Sequence, residues 1–452
     1  MRACFINPPV RDFYSTSIRR QPLGLLYLMA AVRSAGHEAV LINGHSPGKR
    51  VIPLPDEFSY LSGYIGHPDP RYRFPFRNYS HFGLSFQEIH RRVKEAKADV
   101  IFIPSLFTPY HRETETVIEL AKEAAPGAPV VTGGYHAALY PEYHLREAGA
   151  DFVVPGEGEA AAAAIMDCVG SGGDISRIPG IISLDRGAVV RRGEGGVVDI
   201  DSLPLPARDA LADRDFSVYR KRAAAMITSR GCPNRCGFCT VHAVWGGTYR
   251  VRSVAPVIAE VRECSERFNV SMINFEDDNL FASRERAAAL LEELIAFQES
   301  AGTRLDCTAM NGVSLEQMDE DILSLMAKAG FGELNISLMS HSAELQKKQG
   351  RPFESGHFGR IARAARKLGM NVRAYFILGL PGQTKDEVRD TVAFLRGLGV
   401  KFFPSVYYNV RAPRNEWMLQ RSSAFFNETE ELSRDDLIML FNECCRQTSP
   451  TA

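Results

Sequence analysis

Three cysteines carry the strongest chemical signal in this 452-residue chain. Cys232, Cys236 and Cys239 stand at i, i+4 and i+7 in Ser229-Arg230-Gly231-Cys232-Pro233-Asn234-Arg235-Cys236-Gly237-Phe238-Cys239, directly after an apolar run. Thiolates so close in sequence can wrap one face of a cubane 4Fe–4S cluster, and Gly231 and Gly237 let the loop fold tightly around it. A structural zinc normally takes four N or S ligands, in pairs two residues apart. Only three thiols converge here, so one iron would stay open to a chelating small molecule. A zinc site and three unrelated structural thiols are the competing readings.

Other residues add weaker signals. Phe275-Glu276-Asp277-Asp278-Asn279 places an acidic pair at a strand end, a cation partner or a solvated helix cap. Tyr375 to Gly382, YFILGLPG, exposes backbone at a strand end with no side chain in the way. His45 and His136 read as hydrogen-bonded loop residues before they read as metal ligands. Cys444-Cys445, with Cys307, would suit a thiophilic substrate or a second metal, although a terminal helix with two small apolar residues explains the pair equally.

The elements around these residues follow an α/β rhythm. Ala3–Ile6, Glu38–Ile42, Val100–Ile103, Val130–Thr132 and Phe152–Val154 are apolar runs ending in Pro, Gly or polar loops, with helix-like stretches between them. That describes an open parallel sheet of Rossmann type, whose ligands lie at the carboxyl ends of the strands. A Tyr-, Phe-, Pro- and His-rich stretch at about 44–90 interrupts it, either as a packed insertion or as a loop that meets substrate. Residues 172–222 read as a connector with short strand-like pieces at Gly180–Leu184 and Val189–Val190. From Ala224 the rhythm resumes with a strand at Met226–Thr228, a helix at Val254–Arg267 and a strand at Met272–Phe275. Helices at 284–299, 314–329 and 384–397 and strands near 333–338 and 371–378 follow. This predicts a partial or full parallel (β/α) barrel. The expected domains are therefore 1–171, a connector 172–222, a barrel 223–410 and a C-terminal segment 411–452.

Lys and Arg total 53 against 54 acids, a formal charge of -1, so no basic face supports nucleic-acid binding. The N-terminus lacks the features of a signal peptide, no apolar run is long enough for a membrane span, and nine cysteines argue for reduced thiols. A cytoplasmic protein is expected.

The CxxxCxxC loop after a strand resembles the radical S-adenosylmethionine (SAM) superfamily, and Phe238 before the last cysteine fits the family habit. The resemblance implies a TIM-like barrel, a 4Fe–4S cluster on Cys232, Cys236 and Cys239, and SAM on the open iron. Asp277 and Asp278 would then meet the methionine amino group, and Leu378 and Gly379 would carry the adenine. Relatives often have Glu-Ser before a segment like ELQKKQGR, where this chain has Met339-Ser340, so either Ser337, His341 or Arg373 would take over the missing contact or SAM would be held differently.

Asn7-Pro8-Pro9, Pro22-Leu23-Gly24-Leu25-Leu26-Tyr27-Leu28 and Gly36-His37-Glu38 resemble the cobalamin-binding domain fused to many such enzymes. Gly133-Gly134-Tyr135-His136 and Gly156-Glu157-Gly158-Glu159 continue the match, which reaches to about residue 400. The resemblance implies a corrinoid with Ser105, Leu106 and Thr108 on its lower side, Gly133, Gly134 and Tyr135 along its nucleotide tail, and Pro8, Gly156 and Glu157 among its further contacts. The chain lacks the Asp-x-His-x-x-Gly motif that supplies an axial imidazole elsewhere. The implied activity is cobalamin-dependent methyl transfer to an unactivated carbon or phosphorus of a small molecule, fed by a flavodoxin- or ferredoxin-type one-electron reductant. A cyclase or rearrangement catalyst, a transferase moving the aminocarboxypropyl arm of SAM, and a non-enzymatic sensor are the alternatives.

Overall fold

The computed structural model describes residues 1–15, 20–46, 48–218, 220–409, 411–422 and 424–446. Two compact units emerge. One is formed by 1–54, 78–216 and 412–421, the other by 55–77, 217–411 and 422–452.

In the first unit seven strands form one sheet. They are β1 (Arg2–Asn7), β2 (Glu38–Asn43), β3 (Val100–Pro104), β4 (Val130–Gly133), β5 (Phe152–Val154), β6 (Ile182–Asp185) and β7 (Ala188–Arg191), in the order β7-β6-β5-β4-β3-β1-β2. β1 through β5 pair in parallel, and β6 and β7 add an antiparallel hairpin at the edge. All five apolar runs read in the sequence are these parallel strands. The hairpin is the pair of strand-like pieces assigned to the connector; its edge pairing depends on a long-range partner that no local pattern reveals. Strand order reverses between β1 and β3, which makes the carboxyl ends there the natural ligand crevice.

The core holds Cys4, Ile6, Ile42, Ile101, Ile103, Val117, Ile118 and Val130, and the segment 412–421 adds Trp417 to it. The Trp417 ring lies 5.2 Å from His111, 4.7 Å from His136, 4.4 Å from Tyr140 and 5.2 Å from Tyr143. Arg421 follows, 1% exposed, with its guanidinium on both oxygens of the equally buried Glu113 at 3.1 and 3.0 Å. It also donates to the carbonyl of Arg11 and covers the Tyr110 ring at 5.3 Å.

The second unit repeats the parallel theme with β8 (Lys221–Met226), β9 (Met272–Phe275), β10 (Asp306–Thr308), β11 (Glu333–Met339), β12 (Asn371–Leu378) and β13 (Lys401–Val406). β8, β9 and β10 pair in sequence, as do β11, β12 and β13. Parallel bridges Cys307–Phe331 and Val313–Ile336 link the two sets. Six parallel strands with intervening helices fit the partial barrel reading. Along β12, Val372, Ala374, Phe376 and Leu378 are buried while Arg373, Tyr375 and Ile377 are half-buried, the period-2 pattern of a strand with two different faces. The helix expected at 314–329 begins at Glu320, because the Asp319 carboxylate caps it by accepting from the Ile322 amide at 2.9 Å.

The aromatic stretch read as part of the first domain divides. Lys49–Val51 and Ser80–Phe82 join Val10–Asp12 in a small antiparallel sheet. Residues 55–77 belong instead to the second unit, where Tyr60 meets Phe426 at 5.6 Å, Phe74 meets Phe425 at 6.0 Å and Phe76 meets Phe441 at 6.0 Å. The helix Arg434–Arg446 that carries Phe441 also carries Cys444 and Cys445. No helix among the described residues is long and apolar enough to cross a membrane.

Burial holds His111 at a pKa of about 4, His144 at about 3 and His136 at about 2, all below the free value of 6.5. Both ring nitrogens of His144 lack a hydrogen-bond partner among the described residues. Unfolding lets these rings take up protons at pH values where the folded state cannot, so stability is full above 6.5 and falls as pH drops below it. We expect a loss of about 1.4 kcal/mol per imidazole at pH 5.5. Urea unfolding of a Trp245→Phe chain, followed by Trp417 fluorescence at pH 7.5 and 5.5, measures this. His144→Leu should remove one share of the pH dependence.

Candidate cluster and cofactor sites

The cysteine loop leaves the carboxyl end of β8 through Thr228 and Ser229, and one carboxylate fixes that exit. Asp277, 1% exposed, accepts through Oδ1 from the Thr228 amide at 2.9 Å, the Thr228 hydroxyl at 3.0 Å and the Ser229 hydroxyl at 2.5 Å. Ser229–Gly231 then pairs antiparallel with Tyr249–Val251, which closes the loop at its base. Gly231 has φ +84, and a Cβ there would stand 2.0 Å from the Thr248 carbonyl oxygen, so only glycine fits. Cys236 is buried, Cys232 and Cys239 are half-buried, and the Cys239 amide donates to the Cys236 carbonyl at 3.1 Å. The Asn279 amide donates to Cys232 Sγ at 3.7 Å.

A second segment braces the loop from the other side. The Gly237 amide donates to the Gln349 carbonyl at 2.9 Å, and a Cβ on Gly350 would come 3.1 Å from the Arg235 carbonyl oxygen. Phe238 packs against Met339, Leu345 and Leu380, beside Ile377 and Tyr407. Met339 is fully buried with φ +62, at a break in register between β11 and β12. Gln383 fixes the glycine turn after β12, its Oε1 accepting from the Gly379 amide at 2.7 Å and its amide donating to the Ile377 carbonyl at 2.9 Å.

Burial pushes the Cys236 and Cys239 thiols up, the nearby Arg351 guanidinium pulls both back, and Asp278 pushes Cys239 further up. Each of these two thiols feels the charge of its neighbours in the triplet. Even so, no three His, Cys, Asp or Glu among the described residues are drawn together around a single metal ion. A cubane cluster takes each thiolate on a different iron, whereas a zinc ion needs its sulfurs at about 2.3 Å from one centre. The three-thiol donor set fits a cluster with one open iron.

The remaining expected contacts separate. Asp277 is occupied by the loop it anchors; its Oδ2 is buried without a partner among the described residues, and burial raises its pKa to about 6. Asp278 is the exposed member of the acidic pair, holding the Trp245 indole at 3.1 Å. Ser337 is half-buried on β11, beside Tyr375 of β12. Arg373 pairs with Glu333 at 2.8 Å and sits third in β12, roughly 16 Å of strand below Leu378. His341 is bonded to the Ser355 hydroxyl at 3.0 Å and stacked on Phe394 at 4.2 Å. Neither residue is directed to the cysteine loop by these contacts. Cys444 and Cys307 are buried, with thiol pKa values pushed up to about 12.

In the first unit the ends of β3 and β4 draw Ser105, Leu106, Gly133, Gly134 and Tyr135 to one edge. A Cβ on Gly134 would lie 2.8 Å from Leu106 Cδ2 and 2.9 Å from the Ser105 carbonyl oxygen, and one on Gly133 would lie 2.9 Å from the Val154 carbonyl oxygen. Thr108 joins them through its hydroxyl, 3.1 Å from His136 Nδ1. Ser105 Oγ and Thr132 Oγ1 are buried without partners among the described residues, and Leu106 and Phe107 expose 43% and 42% of their surface. Orphaned hydroxyls beside an open apolar shelf fit a large planar group with a hydrogen-bonding tail. Pro8, half-buried, follows β1 next to β3. Gly156 has φ +78, and Glu157 accepts from the Val198 amide at 2.8 Å, so this acid ties the connector to the sheet.

Residues 226–395 match the radical SAM superfamily and residues 77–166 match the B12 binding domain. The chain carries a radical SAM domain and a B12-binding domain. Cytidylyl-2-hydroxyethylphosphonate methyltransferase from Streptomyces wedmorensis is 26% identical over 393 residues, which cover 80% of this chain and 69% of that one. Hopanoid C-3 methylase from Methylococcus capsulatus is 26% identical, covering 82% of this chain and 64% of the relative. Among solved structures, the radical SAM methyltransferase TsrM from Kitasatospora setae, with cobalamin and a [4Fe-4S] cluster bound, superposes with a TM-score of 0.68 at 18% identity. That match covers 90% of this chain and 74% of TsrM. The cobalamin-dependent SAM radical enzyme OxsB gives 0.65 at 15% identity, covering 99% of this chain and 60% of OxsB. The radical SAM match begins at Met226, the last residue of β8, and so includes the whole cysteine loop.

If Asp277 anchors the radical SAM loop while Asp278 faces outward, the two should respond differently to substitution. Asp277→Ala should cost about 2–4 kcal/mol in chemical denaturation, since it strips three buried donors of their acceptor. Asp278→Asn should stay within about 0.5 kcal/mol. Equal losses would remove the distinction.

Proposed function

We propose that the chain is a cobalamin-dependent radical SAM methyltransferase acting on a small molecule. The observation that carries the reading is the three-cysteine loop inside the radical SAM match, in one chain with a B12-binding domain whose strand ends offer orphaned hydroxyls and an apolar shelf. In it Cys232, Cys236 and Cys239 hold the cluster. The cluster supplies the electron that cleaves SAM, and the corrinoid carries the methyl group.

The chain's own residues position and shield. Asp277 and the Gln349 carbonyl hold the loop from two sides, so the thiols meet their irons already oriented. The Asn279 amide, donating to Cys232 Sγ, stabilises negative charge on sulfur. Phe238, beside Cys239, packs into an apolar cluster with Met339 and Leu380, which suits a site that excludes water. Asp278, exposed beside the loop, suits the methionine amino group. Gly379 and its neighbours present bare backbone to the adenine, the turn being locked by Gln383. Ser105, Leu106 and Thr108 serve the lower face of the corrinoid, and Gly133, Gly134 and Tyr135 its tail. An external one-electron reductant of the flavodoxin or ferredoxin type completes the system. The likeness to methyltransferases of a nucleotide-linked phosphonate and of hopanoids supports a small-molecule acceptor.

Anaerobic reconstitution with iron, sulfide and hydroxocobalamin should give about four irons and one cobalt per chain, and Cys236→Ala should lose most of the iron. Turnover should release deoxyadenosine together with methylated product. One observation favours a second reading: a buried Met339 stands where the family resemblance implies a glutamate. Transfer of the aminocarboxypropyl arm would release methylthioadenosine instead, and that product would replace the methyl-transfer reading.

A further inference from the structure

The radical SAM match ends at residue 395, whereas the chain after β13 turns back onto the glycine turn that closes β12. Two contacts make the return. Tyr407, the first residue after β13, donates its amide to the Leu378 carbonyl at 2.9 Å, and its own carbonyl accepts from Asn427 Nδ2 at 2.7 Å. Leu437, fully buried, occupies the space where residue 379 would carry a side chain. A Cβ on Gly379 would stand 3.1 Å from Leu437 Cδ2 and 3.9 Å from Tyr407 Cβ. Gln383 holds the polar groups of this turn, and Leu437 backs its apolar side.

Leu437 belongs to the helix Arg434–Arg446, and that helix is fastened on two sides. Toward the parallel strands, Asp436 pairs with Lys385 at 2.7 Å, at the start of the helix Lys385–Gly397 that follows the turn. Away from them, the Tyr64 hydroxyl donates to Asp435 at 2.6 Å, and Asn442 donates to the Arg71 and Arg73 carbonyls at 2.9 and 2.8 Å. Arg434 covers the Tyr60 ring at 4.7 Å. These partners precede the B12 match, which begins at residue 77, just as the helix follows the radical SAM match. The wall behind the glycine turn is thus built from chain outside both matched stretches.

We propose that Asn427 and Leu437 are positioning residues for the adenine end of SAM, holding the Tyr407 and Gly379 backbones beside which the ring lies. The inference rests on the radical SAM reading above and extends that site to a C-terminal segment outside the match. A planar ring set against bare backbone has no side chain to align it, so whatever fixes the backbone fixes the ring. Leu437 does so by volume and Asn427 by one hydrogen bond, which makes the two separable by substitution.

The test compares wild type, Leu437→Ala, Leu437→Met, Asn427→Asp and Tyr64→Phe, each reconstituted anaerobically to about four irons per chain. Leu437→Met keeps most of the buried volume, and Asn427→Asp keeps the shape while removing the donor. Tyr64→Phe loses the Asp435 contact on the far side of the same helix, so it loosens the helix without touching the turn. Binding is read without turnover: SAM by equilibrium dialysis, then 5′-deoxyadenosine and methionine as competitors for its two ends. Leu437→Ala and Asn427→Asp should each weaken SAM and deoxyadenosine about tenfold and leave methionine within about twofold. Leu437→Met and Tyr64→Phe should match wild type. Fully loaded Leu437→Ala and Asn427→Asp chains with wild-type affinities would overturn the inference and leave the radical SAM reading standing. Equal loss of methionine binding, or equal losses in Tyr64→Phe, would overturn it too, by reducing the effect to general loosening of the segment. Should Leu437→Ala lose its iron, Asn427→Asp decides alone. Failure of the wild-type chain to hold any cluster would instead overturn the reading on which it rests.

Discussion

A loop that carries three cysteines and two glycines between Gly231 and Cys239 has few side chains able to brace it from within. It has to be held from outside. Here the constraint falls on Asp277, whose single oxygen gathers both polar groups of Thr228 and the hydroxyl of Ser229 at the point where β8 ends. A neutral acceptor would serve these donors less well, and a surface carboxylate would exchange them for water. The arrangement therefore needs an acid that is fully buried, and burial raises its pKa to about 6. The glycine at 231 and the Gln349 carbonyl complete the frame by letting two backbones approach where side chains would collide. The cysteines need do nothing structural, which leaves their electronic character free for a metal.

The first unit solves a comparable problem with different means. Its ligand edge is made by strand ends whose glycines admit neighbouring carbonyl oxygens, so the loops after β3, β4 and β5 lie closer than residues with side chains would allow. Rigidity beneath that edge comes from rings. His111, His136, Tyr140 and Tyr143 close around Trp417, and the neutral imidazoles act as polar-edged aromatics. Such packing tolerates no protonation, which couples the integrity of the edge to pH.

How much of this could be read from the chain follows from the range of each interaction. The cysteine triplet is local, ligand spacing being set within a few residues, and it was legible. So were the strands β1 to β5, because buried parallel strands are short apolar runs between glycines and prolines. The hairpin β6–β7 was visible as pieces but not as part of the sheet. Asp277 and Asp278 are adjacent in sequence, and nothing local says which one turns inward; the geometry of the β9 end decides. Arg373 looked free to meet a cofactor because its partner, Glu333, lies on another strand.

The division of the chain into units carries the same lesson further. A boundary drawn where the composition changes puts 1–171 on one side and 223–410 on the other, yet each compact unit takes a segment from beyond its own stretch. The first unit needs 412–421, since Glu113 is buried at 2% exposure and Arg421 meets its charge on both oxygens. Removing one partner of such a pair leaves an uncompensated buried charge, at a cost of about 3–5 kcal/mol. The aromatic residues of 55–77 are likewise covered by rings from 425–441. Two folding units that each borrow chain from the other's sequence territory cannot be separated by a single cut without exposing a charge or a ring cluster. Each unit is thus completed by chain that lies in the other's sequence territory.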